Sequence, residues 1–384
     1  MLPFPILNQY GNIVIRPTIL KVSAGGTHFM VLLSNGDLYA SGQNLQGQLG
    51  TGNTTTVYGN YIKSSLSNVK NVFCGYASTI AITNDNKVYL CGRKTVLFPG
   101  DYTQLTTWLD CTEIFSAHPI DLNTIQISIT NNSTMVLSDS NLYAIGESDG
   151  GSSGTNFSTY ALTLRATSVR DLYRSGGTAS RTYYINTSGQ LYACGNNTYG
   201  QLGTGNTNSL SSFSRITNIT RSIRYIICSS LSTIVICDDG TFYGMGSRTY
   251  GQLGDGYTSS TDSNRSTPAI ISSTMPFIAS SSNNIKSEST GFGNNFNFIN
   301  SGTDLYAAGL NSTGILGTGS TDIEIGTFTK SILDNIDVNA YNFTNGNSFA
   351  FLWNEDEIYM SGSISFIIDG IGPNTQFRKV RLPF

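Results

Sequence analysis

Charge is scarce in this 384-residue chain: Asp, Glu, Lys and Arg make up 12% of it, about half the share of an average soluble domain. The formal net charge is −3 and no run of Lys or Arg occurs. Nothing therefore draws the chain to phosphate backbones or anionic membranes, which argues against general nucleic-acid binding and membrane insertion. Histidine is scarcer still, with only His28 and His118, so general-base chemistry has few candidates. The cysteines, Cys74, Cys91, Cys111, Cys194, Cys228 and Cys237, include no Cys-x-x-Cys pair and no mixed Cys/His cluster, so no metal site is expected. Most of them sit in apolar strand-like runs as small hydrophobes, which favours a reducing compartment. The chain does not open with a basic stretch, an apolar segment and a small-residue cleavage site, and its longest apolar run, 225–237, contains Ser229, Ser230, Ser232 and Thr233. A soluble protein is expected, without signal peptide or membrane-spanning helix, intracellular or held in a particle. No cofactor is expected.

What the sequence has in quantity is Gly, with 41 residues, and Tyr, with 21, and both recur on a fixed spacing. An apolar residue, Tyr, two variable residues and Gly appear at Tyr39/Gly42, Tyr89/Gly92, Tyr143/Gly146, Tyr192/Gly195, Tyr243/Gly246, Tyr306/Gly309 and Tyr359/Gly362. Successive tyrosines are 50, 54, 49, 51, 63 and 53 residues apart, a period too long for most helical repeats and right for a propeller blade. Seven copies predict an all-β, seven-bladed β-propeller as a single domain over 1–384, with repeats near 18–69, 70–109, 110–168, 169–219, 220–274, 275–331 and 332–384 and a closing segment at 1–17. Ahead of each Tyr lies a run such as HFMVLLS, STIAITN or STIVICD, then turn formers such as Asn35-Gly36, Asp85-Asn86 and Ser188-Gly189. One antiparallel hairpin per repeat follows. A blade needs about four strands, and others are placed at 19–24, 71–74 and 224–228. The seven tyrosines are expected to be buried between blades, each followed by a glycine that permits close packing. Neither terminus supplies a whole blade, so N- and C-terminal strands are expected to pair in one sheet and close the ring.

A second signature follows the hairpin: Gly47-Gln48-Leu49-Gly50, repeated at 200–203 and 251–254 and as Gly314-Ile315-Leu316-Gly317. Together with AGGTHFMVLLSNGDLYASGQNLQGQLGTGN (24–53) and INTSGQLYACGNNTYGQLGTGNT (185–207), this step resembles the regulator of chromosome condensation repeat family. The resemblance implies a seven-bladed propeller. It is strong in copies one, four and five, clear in six, and faint in two, three and seven, where the step has decayed to sequences such as FPG or DGIG. Kelch repeats have a similar period, but their Gly-Gly doublet precedes the aromatic residues and they lack the step. Two departures from the family bear on function. Its repeated His, eleven residues before the Tyr, survives as His28, and elsewhere the position holds Ser78, Asn132, Arg181, Ser232, Asn295 and Ser348. Its frequent Trp, two residues after the Tyr, is replaced by Ser41, Cys91, Ile145, Cys194, Met245, Ala308 and Ser361.

Neither the steps nor the glycine-rich 150–154 is followed by Lys-Ser/Thr and a helix, so they read as turns rather than phosphate cradles. His118 with Cys111 and Asp121 is the one set that can be drawn as base, nucleophile and orienting acid; Pro119 and the lack of an oxyanion motif make it an ordinary loop. His28 is expected to bond a hairpin turn. The resemblance brings three functions to weigh. Founding members of the family are guanine-nucleotide exchange factors for the GTPase Ran, acting with a basic tail and an inserted wedge that this chain lacks, so a Ran-type exchange factor is the less supported reading. The plant ultraviolet-B photoreceptors need a tryptophan cluster, and only Trp108 and Trp353 are present. Other members are protein-binding platforms, which asks only for varied exposed loops. The expected function is therefore a non-catalytic protein-binding or structural propeller. The alternative is a structural component of a viral or microbial particle or surface assembly, which low charge and abundant Asn, Ser and Thr suit. The partner is then a protein or a lattice neighbour. Its contact is expected on the polar loops of the longest interval, 256–268 and 279–290, with Tyr257, Arg265 and Lys286 as contact residues.

Overall fold

The computed structural model describes residues 6–7, 13–14, 16–147, 150–176, 180–258, 264–276, 295–302, 304–333, 336–363 and 374–382. Every predicted hairpin is present within an antiparallel sheet. Blade 1 has an inner strand at Ile19–Ala24, a second at His28–Leu33, a third at Leu38–Gly42 and an outer one at Val57–Lys63. The same order recurs over 69–110, 126–166, 169–215, 223–270 and 342–380, and the sheet over 296–330 has three strands among the described residues. Inner strands neighbour one another around a ring, the last blade's beside the first's. The chain is a nearly all-β, seven-bladed propeller.

The second strands HFMVLL, STIAIT and STIVIC are buried at every position because both faces of a blade are covered by its neighbours, which removes the in-out alternation of a half-exposed strand. Outer strands such as Val57–Lys63 are mostly exposed. The glycine after each Tyr has a local cause. Gly42 has φ +108°, and a Cβ there would lie 2.5 Å from the Thr27 carbonyl oxygen, so only Gly fits. At the same glycine the pairing with the outer strand shifts register.

Blades meet through apolar seams. Phe29 and Val31 of blade 1 pack with Phe349, Phe351 and Trp353 of blade 7, the Phe29 and Phe351 rings 4.8 Å apart. The expected closure by strand exchange is corrected here. Asn374–Val380 is the outer strand of blade 7 itself, and Ile6–Leu7 pairs with Ile13–Val14 in a separate ribbon. The seam between blades 7 and 1 is instead the ordinary one. Val69, Val169 and Ile223 at the heads of inner strands donate their N–H to Gly36, Ser140 and Gly189 in the preceding blade's hairpin turn, and Ile19 donates in the same way to Glu355 at 2.8 Å. A ring whose ends meet through a regular seam needs no shared sheet.

The repeat tyrosines also sit differently from the expectation. They lie at the seams, but only Tyr143 is buried; Tyr39, Tyr89, Tyr192, Tyr243, Tyr306 and Tyr359 are half-buried. Their place on the third strand, nearer the outside of the ring, leaves each ring edge beside the exposed outer strand. The alignment of the family His is corrected in three blades as well. The residue that pairs with the conserved glycine is His28, Ser78, Arg181 and Ser232 in blades 1, 2, 4 and 5, but Ser133, Phe296 and Phe349 in blades 3, 6 and 7. Hairpins in those three blades are one residue shorter. In blade 3 the turn is made by Asp139 and Ser140, both with positive φ.

This topology gives the ring two faces. Hairpin turns and the heads of the inner strands lie on one, the turn face. The connections from third to outer strand, with their glycine steps, lie on the other, the loop face.

Candidate partner-binding surface

The step is a compact turn clamped onto the next blade. Gly50, Gly203, Gly254 and Gly317 donate N–H to Gly47, Gly200, Gly251 and Gly314 at 2.9–3.1 Å. Segment 151–154 closes the same way, Gly154 to Gly151 at 2.9 Å, so the Gly-Ser-Ser-Gly sequence is the step of blade 3. In blades 1, 3 and 5 the step's carbonyl is capped from the following blade: Thr79 Oγ1 donates to Gln48 O, Thr182 Oγ1 to Ser152 O and Asn297 Nδ2 to Gln252 O.

In blades 1, 4 and 6 a buried asparagine three residues before the first step glycine organises the loop. The Oδ1 atoms of Asn44, Asn197 and Asn311 accept from Leu49, Leu202 and Leu316 N–H at 2.9, 2.8 and 3.1 Å. Their amides donate to the carbonyls of Asn53, Asn206 and Ser320, and in blades 1 and 4 also reach Thr51 and Thr204 Oγ1.

Blade 5 departs from this. Arg248, Asp255 and Tyr257 occupy the positions of Asn44, Thr51 and Asn53. The neutral Asn–Thr hydrogen bond becomes an ion pair, Arg248 Nε to Asp255 Oδ2 at 3.0 Å, and Arg265 Nη2 reaches the same oxygen at 2.8 Å. The Arg248 guanidinium lies 3.5 Å from the centre of the Tyr257 ring. Backbone placement is unchanged. Gly256 N–H donates to Gly326 O of blade 6 at 2.9 Å, as Gly52 and Gly205 do to Thr106 and Ser266. A buried arginine needs a counter-ion, and Asp255 supplies it. The cation then holds the Tyr257 ring from beneath. The result is an aromatic side chain 45% exposed on a fixed base, with Arg265 beside it. Ordering such a group in advance lowers the entropy cost of binding.

Of the expected contact residues, the structure brings Tyr257 and Arg265 into one cluster, and Lys286 lies outside the described residues. Arg248 and Asp255 were missed; comparing the blade 5 step with GQLGTGN of blades 1 and 4 would have found them. The loop face also exposes Leu45, Tyr102, Phe157, Tyr160 and Ile323, on blades 1, 2, 3 and 6.

The residues drawn as a nucleophile set stay apart. The Cys111 thiol is buried, pushed up to about 12 by desolvation, and contacts Leu109 O. The His118 ring lies against Tyr143. Asp121 caps its own turn through Asn123 N–H and Thr124 Oγ1. His28 bonds across a seam rather than to a turn. Thr79 gives its hydroxyl hydrogen to Gln48 O, so His28 Nε2–H donates to Thr79 Oγ1 at 2.8 Å. Complete burial lowers the His28 pKa to about 3. Among the described residues no group of three or more His, Cys, Asp or Glu is placed to hold a metal ion, and no helix is long and apolar enough to cross a membrane.

The ring and its steps define a seven-bladed propeller of the repeat type whose blades lock through glycine turns. Models of the regulator of chromosome condensation (RCC1) repeat match residues 19–48 and 188–236. The chain thus carries RCC1 repeats. It is 29% identical over 169 residues to an RCC1 repeat-containing protein of Dictyostelium discoideum, a match covering 40% of this chain and 34% of that one. It is 37% identical over 79 residues to a bovine secretion-regulating guanine nucleotide exchange factor, covering 20% of this chain and 17% of that one. The chain thus spans about a third of the first of these relatives and about a sixth of the second. Among solved structures, human WBSCR16 superposes with a TM-score of 0.69 at 16% identity over 90% of this chain and 95% of that one. Yeast RCC1 (Prp20), solved bound to Kap60, superposes at 0.67 and 15% identity over 86% and 79%. At such identities the likeness concerns the fold.

Proposed function

We propose that this propeller is a non-catalytic platform that binds a protein partner through its loop face, with Tyr257 as aromatic anchor, Arg265 beside it and Lys286, outside the described residues, as a further contact. The observation that carries this reading is the coordinated replacement of Asn, Thr and Asn by Arg248, Asp255 and Tyr257 in one blade whose backbone is otherwise conserved. Here three positions change together, two of them as a charge and its counter-ion, and present an aromatic ring. The yeast RCC1 ring solved with Kap60 supports a protein-binding use of this shape. A Ran-type exchange activity is not expected, because no run of Lys or Arg occurs in these 384 residues.

The test is quantitative capture of native partners by the full chain, comparing wild type with Tyr257→Ala, Arg265→Ala and the turn-face control Leu20→Ser. Loss of a stoichiometric partner in the first two but not the third is expected. Equal capture by all four would sink the reading, and accelerated nucleotide release from a Ran-type GTPase would replace it.

A further inference from the structure

On the opposite face, between the blade 4 hairpin turn and the connection into blade 5, lies a cavity of about 260 Å³. Leu191, Ile216, Ile219 and Ile223, all buried, stand behind it, and the surface it exposes is mostly polar. Its rim carries the hydroxyls of Ser188, Thr220 and Ser222, the Gln190 amide, and two guanidinium groups, with no carboxylate among the lining residues. The two arginines differ. Arg221 is neutralised and anchored, pairing with Asp239 and donating from Nε to the Tyr243 hydroxyl at 3.2 Å. Arg215, at the end of the outer strand, is exposed and makes no hydrogen bond or ion pair with a described residue. Of the two arginines lining the cavity, Arg215 is therefore the one left to meet a ligand.

We propose that this cavity binds a carboxylate-bearing group of about the size of a glutamate side chain, with Arg215 as its bidentate partner. One free guanidinium matches one negative charge, and its planar fork fits the two oxygens of a carboxylate. A phosphate dianion would ask for a second free cation, and Arg221, the other one on the rim, is engaged by Asp239. The rim hydroxyls and the Gln190 amide can hydrogen-bond the rest of the ligand, and the cavity is smaller than the roughly 300–1,000 Å³ of drug-sized sites. The carboxylate can arrive as a free amino acid or as an acidic side chain of a polypeptide.

Isothermal titration of the full chain separates these sources. The probes are free glutamate, a short neutral peptide with one central glutamate, its glutamine counterpart and inorganic phosphate. Wild type is expected to bind glutamate or the glutamate peptide, the glutamine peptide at least tenfold more weakly, and phosphate no better. Arg215→Gln should lose at least tenfold, and Arg215→Lys should recover part of it. Binding of the peptide alone identifies a polypeptide ligand, and binding of free glutamate alone a small acid. No binding of either, equal binding by Arg215→Gln at an unchanged melting temperature, or tighter binding of phosphate overturns the proposal. Because Arg215 lies on the opposite face from Tyr257, the outcome is independent of the partner surface proposed above.

Discussion

On the turn face, the hairpins of six blades carry an acidic residue, among them Asp37, Asp85, Asp139, Asp239, Asp304 and Asp356, and six of the nine ion pairs of the described residues lie there. On the loop face the charges are few, and large apolar side chains are exposed on five blades. The difference has a local origin. A tight hairpin selects Asp or Asn because the side chain accepts from its own backbone, as Asp239 Oδ1 does from Thr241 N–H at 3.0 Å. Acidity on that face is therefore turn chemistry, and its exposed pairs contribute about 0–1 kcal/mol each. The loop-face connections are held by buried amides and step glycines instead, which frees the outward side chains to vary. The comparison teaches that acidity on this molecule marks turns, while departure from the repeat marks where a proposed contact is to be tested.

The sharpest way to break the contrast is through a charge that is buried. Arg181, in blade 4, donates from Nη1 to Ser230 O and from Nη2 to Ser232 O, both at 2.7 Å, across the seam at the loop-face end of blade 5. Arg181→Met leaves those carbonyls dry and unpaired, and should lower unfolding free energy by about 4 kcal/mol. Lys63→Met, which breaks the exposed pair with Asp37 on the turn face, should cost less than about 1 kcal/mol. Equal effects in denaturant unfolding would erase the distinction. The repeat tyrosines give the next step down. Tyr143→Ala, fully buried, should cost about 3 kcal/mol, and half-buried Tyr192→Ala about half of that. Matching losses would mean that burial does not grade these positions.

Protonation sharpens the comparison further, because the His28 ring sits in the seam rather than at the surface. Its folded pKa of about 3 lies below the ordinary value of 6.5. Between these values the unfolded chain binds a proton that the folded chain refuses. Stability from this residue is therefore full above pH 6.5 and declines as pH falls toward 3, at about 1.4 kcal/mol per pH unit. At pH 5 the loss should be about 2 kcal/mol. His28→Asn, measured against wild type at pH 7.5 and 5, should remove that slope; a slope that persists belongs to other groups.

Much of the fold was legible because the hairpins repeat one pattern, Tyr then Gly, whose spacing survives even where other signals fade. Outer strands were not, since a strand such as Val57–Lys63 is mostly exposed and carries little alternation. The one-residue shortening of hairpins in blades 3, 6 and 7 was hidden because the Tyr-to-Gly spacing is unaffected by the turn before it. The step at 151–154 kept its glycines and backbone bond but exchanged Gln-Leu for Ser-Ser, leaving only geometry to reveal it. Strand pairing of the termini failed because Asn374–Val380 follows its hairpin at a distance and has no marker of its own. At the candidate surface, loop length pointed to blade 5, while Arg248 and Asp255 were invisible to a reading that sought exposed loops, since both are buried.

The smallest expected effect on stability belongs to the change that returns blade 5 to the repeat. Asp255→Thr alone removes the counter-ion of buried Arg248 and should cost about 3 kcal/mol. Arg265 suffers less, since its side chain is a quarter exposed and reaches water. Adding Arg248→Asn and Tyr257→Asn rebuilds the arrangement of Asn44, Thr51 and Asn53, in which the amide bonds Thr51 Oγ1 and the Asn53 carbonyl. The triple variant should therefore unfold within about 1 kcal/mol of wild type, a strong non-additivity of the kind that contacting residues produce. Partner capture should be lost nonetheless, because the aromatic anchor and the cation beneath it are gone. If the triple variant is as unstable as Asp255→Thr, the three positions are not a coupled replacement. If it is stable and still captures the partner, the departure of blade 5 from the repeat is structural variation alone.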